Sequence, residues 1–178
     1  MTRTDHLLSR RRLLRVGVFG SAALAGAGLL GSLSGCSAEQ SAAGFLHLRN
    51  SDLPTLRRLA PVLLEGALPS TSMPRAVRGT LENLDLGLAH LPPAVSKQIQ
   101  QLFDLLSLPL TRGPVTGIWG SWEQAQDADI QAFLQRWENS SIALLRQGNV
   151  ALQQMILMAW YGRQESWAHC GYPGPPVI

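Results

Sequence analysis

Between residues 51 and 160 the apolar side chains return at intervals of three and four, and that spacing limits what the chain can fold into more than any motif does. Leu56, Leu59, Ala60, Leu63 and Leu64 share one face of a helix that begins at Ser51-Asp52, with Pro54 near its first turn, and ends at Gly66 and Pro69. Pro61 lies inside that pattern and predicts a kink or a restart. A second stripe, Val77, Leu81, Leu84 and Leu88, runs over 74–91 until Pro92-Pro93, and a third, Val95, Ile99, Leu102, Phe103 and Leu106, runs until Pro109. Neither shows the two-residue alternation of a half-buried strand. From about residue 127 Ile130, Phe133, Leu134 and Trp137 oppose Gln131, Gln135 and Glu138, and Asp127 and Asp129 suit the positive end of the helix dipole. Gly148 predicts a turn into a last helix over 150–160, apolar on nearly every side and so expected at the centre of the core. The fold class expected is all-α, with about five helices in a single compact domain that ends in an irregular tail rich in aromatics, proline and glycine.

The intervening segments read differently. Residues 37–50, rich in Ser, Ala and Gln without an apolar period, are expected to be a flexible tether. Residues 110–121 collect Gly and Pro around Trp119 and are expected to be a long loop. Glu82 and Asp85 fall on the second helix, where solvent is the simplest partner for both.

The first 36 residues carry an export address rather than a part of the fold. Ser9-Arg10-Arg11-Arg12-Leu13-Leu14-Arg15 precedes a charge-free apolar segment that ends in Leu33-Ser34-Gly35-Cys36. A basic start, an apolar centre and a small-residue exit form a secretory leader, and the paired Arg10 and Arg11 mark the twin-arginine route, which carries folded proteins. Leu13 and Arg15 stand where Phe and Lys are commoner. The apolar segment holds Gly17, Gly20, Gly26, Gly28 and Gly31, which weigh against a retained membrane helix. Its exit resembles the lipobox of bacterial lipoproteins, which would make Cys36 the lipidated first residue of the processed chain; cleavage after Ala38 or Ala43 is the competing reading. Ser37 rather than Asp after the cysteine favours the outer membrane in a two-membrane bacterium. The domain organisation expected is therefore a leader over 1–36, a tether over 37–50 and a helical domain over 51–178, exposed to the periplasm and anchored by lipid.

Removing the leader changes the charge argument. The whole chain has a formal net charge of +3, of which five leader arginines against Asp5 contribute +4, so the remainder is close to −1. Its basic residues are dispersed among acids with no stripe able to track phosphates, which argues against nucleic acid as a partner. Roughly 140 residues suit one domain with one core. If Cys36 is acylated, Cys170 has no intramolecular partner, and the alternatives are a free thiol, a disulfide to another chain or a buried thiol acting as a small hydrophobe.

After the last helix comes Trp160-Tyr161-Gly162-Arg163-Gln164-Glu165-Ser166-Trp167-Ala168-His169-Cys170-Gly171-Tyr172-Pro173-Gly174-Pro175-Pro176, whose prolines and glycines predict an extended, non-helical tail. Trp167 and Tyr172 supply the amphipathic area enriched in interface cores, or else clip the tail onto its own helices. Phe133-Leu134-x-x-Trp137, Arg146, Trp160-Tyr161, Ser166-Trp167 and the ending Gly171-Tyr172-Pro173-Gly174-Pro175-Pro176 resemble the small subunit of membrane-associated flavin dehydrogenases. That family includes the small subunits of sorbitol and fructose dehydrogenases, the gamma subunit of bacterial glucose dehydrogenase and, more distantly, subunit 3 of gluconate dehydrogenase. The specific motif covers the last 45 or so residues, and the middle of the chain matches in character only. The resemblance implies a non-catalytic accessory protein that helps a large flavoprotein fold and escorts it out of the cytoplasm, with FAD held by the partner and no cofactor in this chain. Within it Trp160, Tyr161, Trp167, Cys170, Tyr172 and Pro173 become the candidate partner-binding residues, with Cys170 as a candidate intersubunit disulfide; whether a cytochrome subunit joins the complex is left open.

The residues independently agree with a non-catalytic role. C-x-x-C-H, a cysteine cluster and G-x-S-x-G are absent from the sequence, and no G-x-G-x-x-G follows a strand, the string at Gly26–Gly31 lying within the apolar leader. His47, His90 and His169 are scattered, and His169-Cys170 adjacency does not create the spatial hydrogen bond a nucleophile and base require. The folded-state export route then suits a cargo, a partner that must acquire its cofactor first. The alternative is a stand-alone periplasmic lipoprotein, a binding or envelope-structural module in which Trp119, Trp122 and the tail form a ligand groove.

Overall fold

A computed structural model describes residues 40–174, so Arg10, Arg11, Cys36, residues 37–39 and the final Pro175-Pro176-Val177-Ile178 lie outside the described residues. From Gln40 onward the chain forms one compact unit. The described residues hold seven α-helices, two short 3-10 turns and no strand beyond one isolated antiparallel bridge between Ser41 and Arg49. The all-α expectation is met with two helices more than the spacing suggested.

In chain order the helices are α1 (Asp52–Leu63), α2 (Met73–Leu88), α3 (Pro93–Ser107), α4 (Pro109–Thr116), α5 (Asp127–Glu138), α6 (Ala143–Tyr161) and α7 (Gln164–Cys170). Helix α1 is the hub, packing on α2, α3, α5 and α6 and on the turn Trp122–Gln124. Its apolar face, Leu53, Leu56, Leu59 and Ala60, is buried as the spacing required. Pro61 sits in its last turn without ending it early. The second close arrangement is α2 against α6, and α5 also packs along α6.

Aromatic residues fill the space between α3, α5 and the 3-10 turn. Phe133 lies between Trp122 and Trp137, meeting each ring edge to face with centroids 5.9 and 4.9 Å away. The indole N–H of Trp122 donates to the carbonyl of Leu106 at 2.8 Å, and that of Trp137 to the carbonyl of Val115 at 2.9 Å. Both buried polar tips are thus satisfied: Trp122 staples the 3-10 turn to α3, and Trp137 staples α5 to α4.

Five expectations need correction. Residues 110–121 are not one loop, because α4 occupies Pro109–Thr116. Pro109 takes the first helical position, where its missing N–H costs nothing, and Gly117 ends the helix in the left-handed conformation at φ 80°. Gly113 is a packing seat rather than a breaker: a Cβ there would stand 2.6 Å from the Trp119 ring. Gly148 likewise marks no turn. It lies inside α6, where a Cβ would stand 2.6 Å from Cζ3 of Trp137, so its bareness lets α5 and α6 close on each other.

The tail is not extended throughout, because α7 spans Gln164–Cys170. The breakers counted against a helix all flank it, with Gly162 before it and Gly171 after it in the left-handed conformation at φ 72°. Ser166, fully buried, donates from Oγ to the carbonyl of Arg163 at 2.7 Å. Arg163 donates to the carbonyl of Gly79 in α2 at 2.7 Å and binds Glu165 at 3.0 Å, fixing the α6–α7 joint against α2.

Finally, the tether expectation fails for residues 40–50. Ala42 and Leu48 are buried, and Ala42 donates its N–H to the carbonyl of Leu48 at 2.8 Å. The segment is clamped by Asp85, which solvent was expected to satisfy but which is only 4% exposed. Its Oδ2 accepts the N–H of Leu46 at 2.7 Å, and its Oδ1 accepts those of His47 and Leu48 at 2.8 Å each. Arg49 then bridges Asp52 in α1 and Asp104 in α3, both at 2.8 Å. Burial opposes the charge on Arg49, but the hydrogen bonds and charges of Asp52 and Asp104 outweigh it and hold the guanidinium pKa above its ordinary value.

Candidate partner-binding surface

The predicted partner-binding residues divide between core and surface. Trp160 is buried at 3% exposure against Leu64 and Ala76 and presents no face to a partner. Tyr161 is half exposed, and its carbonyl accepts the indole N–H of Trp167 at 3.2 Å. Trp167 serves as a plate for the tail: Tyr172 meets it edge to face at 5.3 Å and donates its backbone N–H to the Trp167 carbonyl at 2.9 Å. The aromatic hook therefore packs inward through Trp167 and outward through Tyr172, which remains 45% exposed. Cys170 is exposed with a free thiol directed at the Trp167 carbonyl, and Pro173 is exposed beside it. Tyr161, Cys170, Tyr172 and Pro173 are thus brought to the surface around α7.

Trp122 and Trp119 do not cooperate as a ligand groove would need. Trp122 is 1% exposed inside the aromatic core, whereas Trp119 is 78% exposed and lies over Gly113. Among the described residues no three His, Cys, Asp or Glu side chains converge as metal ligands would. His169 lines a cleft with Glu165, Ser72 and Arg75, and Cys170 faces a second, smaller one beside residues 63–67.

The sequence did not disclose a long apolar groove on the surface. Helices α3 and α6 are not closely packed on each other, and between them runs a groove of about 660 Å3. Val95, Ile99 and Leu102 line it from α3; Leu144, Met155 and Met158 line it from α6. Its edges carry Gln98, Gln101, Gln147 and Gln154, and none of its lining residues bears a formal charge. Leu144 is 70% and Met158 73% exposed. The last long helix is therefore not the all-round core helix its composition suggested: Leu152, Ile156 and Ala159 are buried, and the opposite apolar side is left to solvent. A second cleft of about 460 Å3, between α2 and α6, continues past Met155 and Met158 and shares Leu91 with the groove. Exposed contiguous apolar surface on a small domain marks an interaction site, and one without charges loses little on desolvation. Met155 and Met158 add side chains that adapt to whatever covers them.

Comparison with protein-family models, with curated proteins and with solved structures finds no match. The fold and the surface together define an all-helical domain with an uncovered apolar groove. Among the described residues no helix is long and apolar enough to cross a membrane.

Proposed function

We propose that this chain is a non-catalytic small subunit that binds a flavin-dependent sugar or alcohol dehydrogenase, helps it fold and escorts it through the twin-arginine export route. The observation that carries the reading is the charge-free groove between α3 and α6, which suits an apolar helix of another polypeptide laid in by its uncharged face. The exposed cluster around α7 extends the contact, with Tyr161, Tyr172 and Pro173 as packing area and the Cys170 thiol placed for a disulfide with the partner once both reach an oxidising compartment. The resemblance of the C-terminal string to dehydrogenase small subunits supplies the class of partner. Arg10 and Arg11 supply the export signal, Cys36 the lipid that retains the complex at the periplasmic membrane face, and the partner supplies FAD. A cytochrome subunit that passes electrons onward is compatible with this arrangement.

Affinity capture of the chain from its native host with the leader intact, followed by an absorption spectrum of the eluate, tests the proposal. The expected result is a larger companion polypeptide with flavin bands. A lone protein without a chromophore would refute it and favour a stand-alone lipoprotein module.

A further inference from the structure

We infer that the face carrying residues 43–47 together with Arg57 and Arg78 rests on an anionic lipid surface. The inference rests on the lipid anchoring at Cys36 proposed above.

Three observations converge on this face. The first is a cleft of about 470 Å3 between α1 and α2, with Phe45, Met73, Val77 and Leu81 among its apolar lining and Arg57 and Arg78 at its margin. The second is that these two arginines are exposed and uncommitted. Elsewhere Arg49, Arg58 and Arg163 bind carboxylates, and Arg136 and Arg146 donate to backbone carbonyls. Arg57 and Arg78 have neither kind of partner among the described residues. Glu82, one turn beyond Arg78 on α2, does not line the cleft. Guanidinium groups bind phosphate oxygens two at a time, so a pair flanking an apolar floor matches a phospholipid surface in both charge and polarity. Leu46, the neighbour of Phe45, projects at 65% exposure from a segment that Asp85 holds rigid.

The third observation is the shortness of the leash. The tether expected over 37–50 is packed from Ser41 onward, leaving only four residues, 37–40, between Cys36 and Ser41. Fully extended, four residues reach about 14 Å. An acyl group on Cys36 would therefore hold the bilayer surface close to the 43–47 loop. A basic residue near an anionic surface strengthens binding about five-fold, so two act together by about 25-fold.

The test uses residues 37–178 with a hexahistidine in place of Cys36, held on nickel-chelating phosphatidylcholine vesicles with and without one-quarter phosphatidylglycerol. Binding about 25-fold tighter to the anionic vesicles is expected, with the difference abolished by R57E/R78E and retained by K97E/R146E, which makes the same charge change on α3 and α6. Equal affinity for both vesicles, or equal loss in the two double variants, would overturn the proposal. Intact-mass measurement of the processed protein from the native host reads the anchor separately. A Cys36 without diacylglycerol removes the anchor and this proposal with it, whereas a lipidated Cys36 without phosphatidylglycerol preference overturns the face and leaves the anchor standing.

Discussion

Replacing Asp85 with Asn should lower the stability of the domain by about 3 kcal/mol, although the change alters one atom and no volume. In the folded chain the two carboxylate oxygens accept three backbone N–H groups, from Leu46 at 2.7 Å and from His47 and Leu48 at 2.8 Å. Asn keeps one acceptor. With its oxygen on the His47 and Leu48 side, two charge-assisted bonds become neutral ones, a loss of roughly 1 kcal/mol each. The amide NH2 then faces the Leu46 N–H, donor against donor, for roughly another 1 kcal/mol. Urea unfolding followed by far-ultraviolet circular dichroism should show a lower midpoint with an unchanged slope. Trypsin should also cut faster after Arg49, because the loop that buries Ala42 and Leu48 loses its clamp. A loss below about 1 kcal/mol with unchanged cleavage would refute the reasoning and mean that Leu48 packing alone holds the segment.

Gly148→Ala should destabilise the domain by about 1–2 kcal/mol, because the new methyl meets Trp137 at 2.6 Å and that overpacking exceeds the helix-propensity gain of roughly 1 kcal/mol. Thermal melts decide it, and a stabilised variant would count against a tight α5–α6 seam. Met158→Glu should leave the melt within about 0.5 kcal/mol, since the side chain is 73% exposed, yet reduce partner recovery at least about ten-fold by placing an unpaired charge in the groove. Undiminished recovery would move the interface away from α3 and α6. Cys170→Ser should abolish a reductant-sensitive band joining the two subunits on non-reducing electrophoresis; wild-type complex whose migration ignores reductant would dispose of the disulfide.

How far the sequence disclosed this molecule depends on whether local or tertiary forces decide each segment. The stripes on α1, α2, α3 and α5 were legible because an apolar face repeats within one element; on α1, α2 and α5 most of that face is buried, whereas on α3 only Phe103 and Leu106 are, and Val95, Ile99 and Leu102 line the groove. Helices α4 and α7 were missed because Pro109, Gly117, Gly162 and Gly171 were weighed as breakers, when they occupy the first position of a helix or flank its ends, where such residues are favoured, and because Gly113 and Pro114, which lie inside α4, were weighed as breakers too. Gly113 and Gly148 were misread because their purpose is a tryptophan ring brought close by another part of the fold. Asp85 was misread because its partners lie 37–39 residues earlier in the chain. Within the candidate site, Trp167 and Tyr172 were recognisable as a pair, and Trp160 was not separable from them by composition although it faces inward. The groove was the least legible feature. The composition of α6 says that the helix is apolar, but only the spacing of α3 from it decides which half is left uncovered.

In the role proposed above, this chain would carry another protein across a membrane. Replacing Arg10 and Arg11 together with Lys in the native host, then fractionating cells and locating the flavoprotein captured with the wild-type chain, tests it most directly. The flavoprotein is expected to stay in the cytoplasm together with the variant. A flavoprotein that still reaches the envelope in that strain would contradict that role.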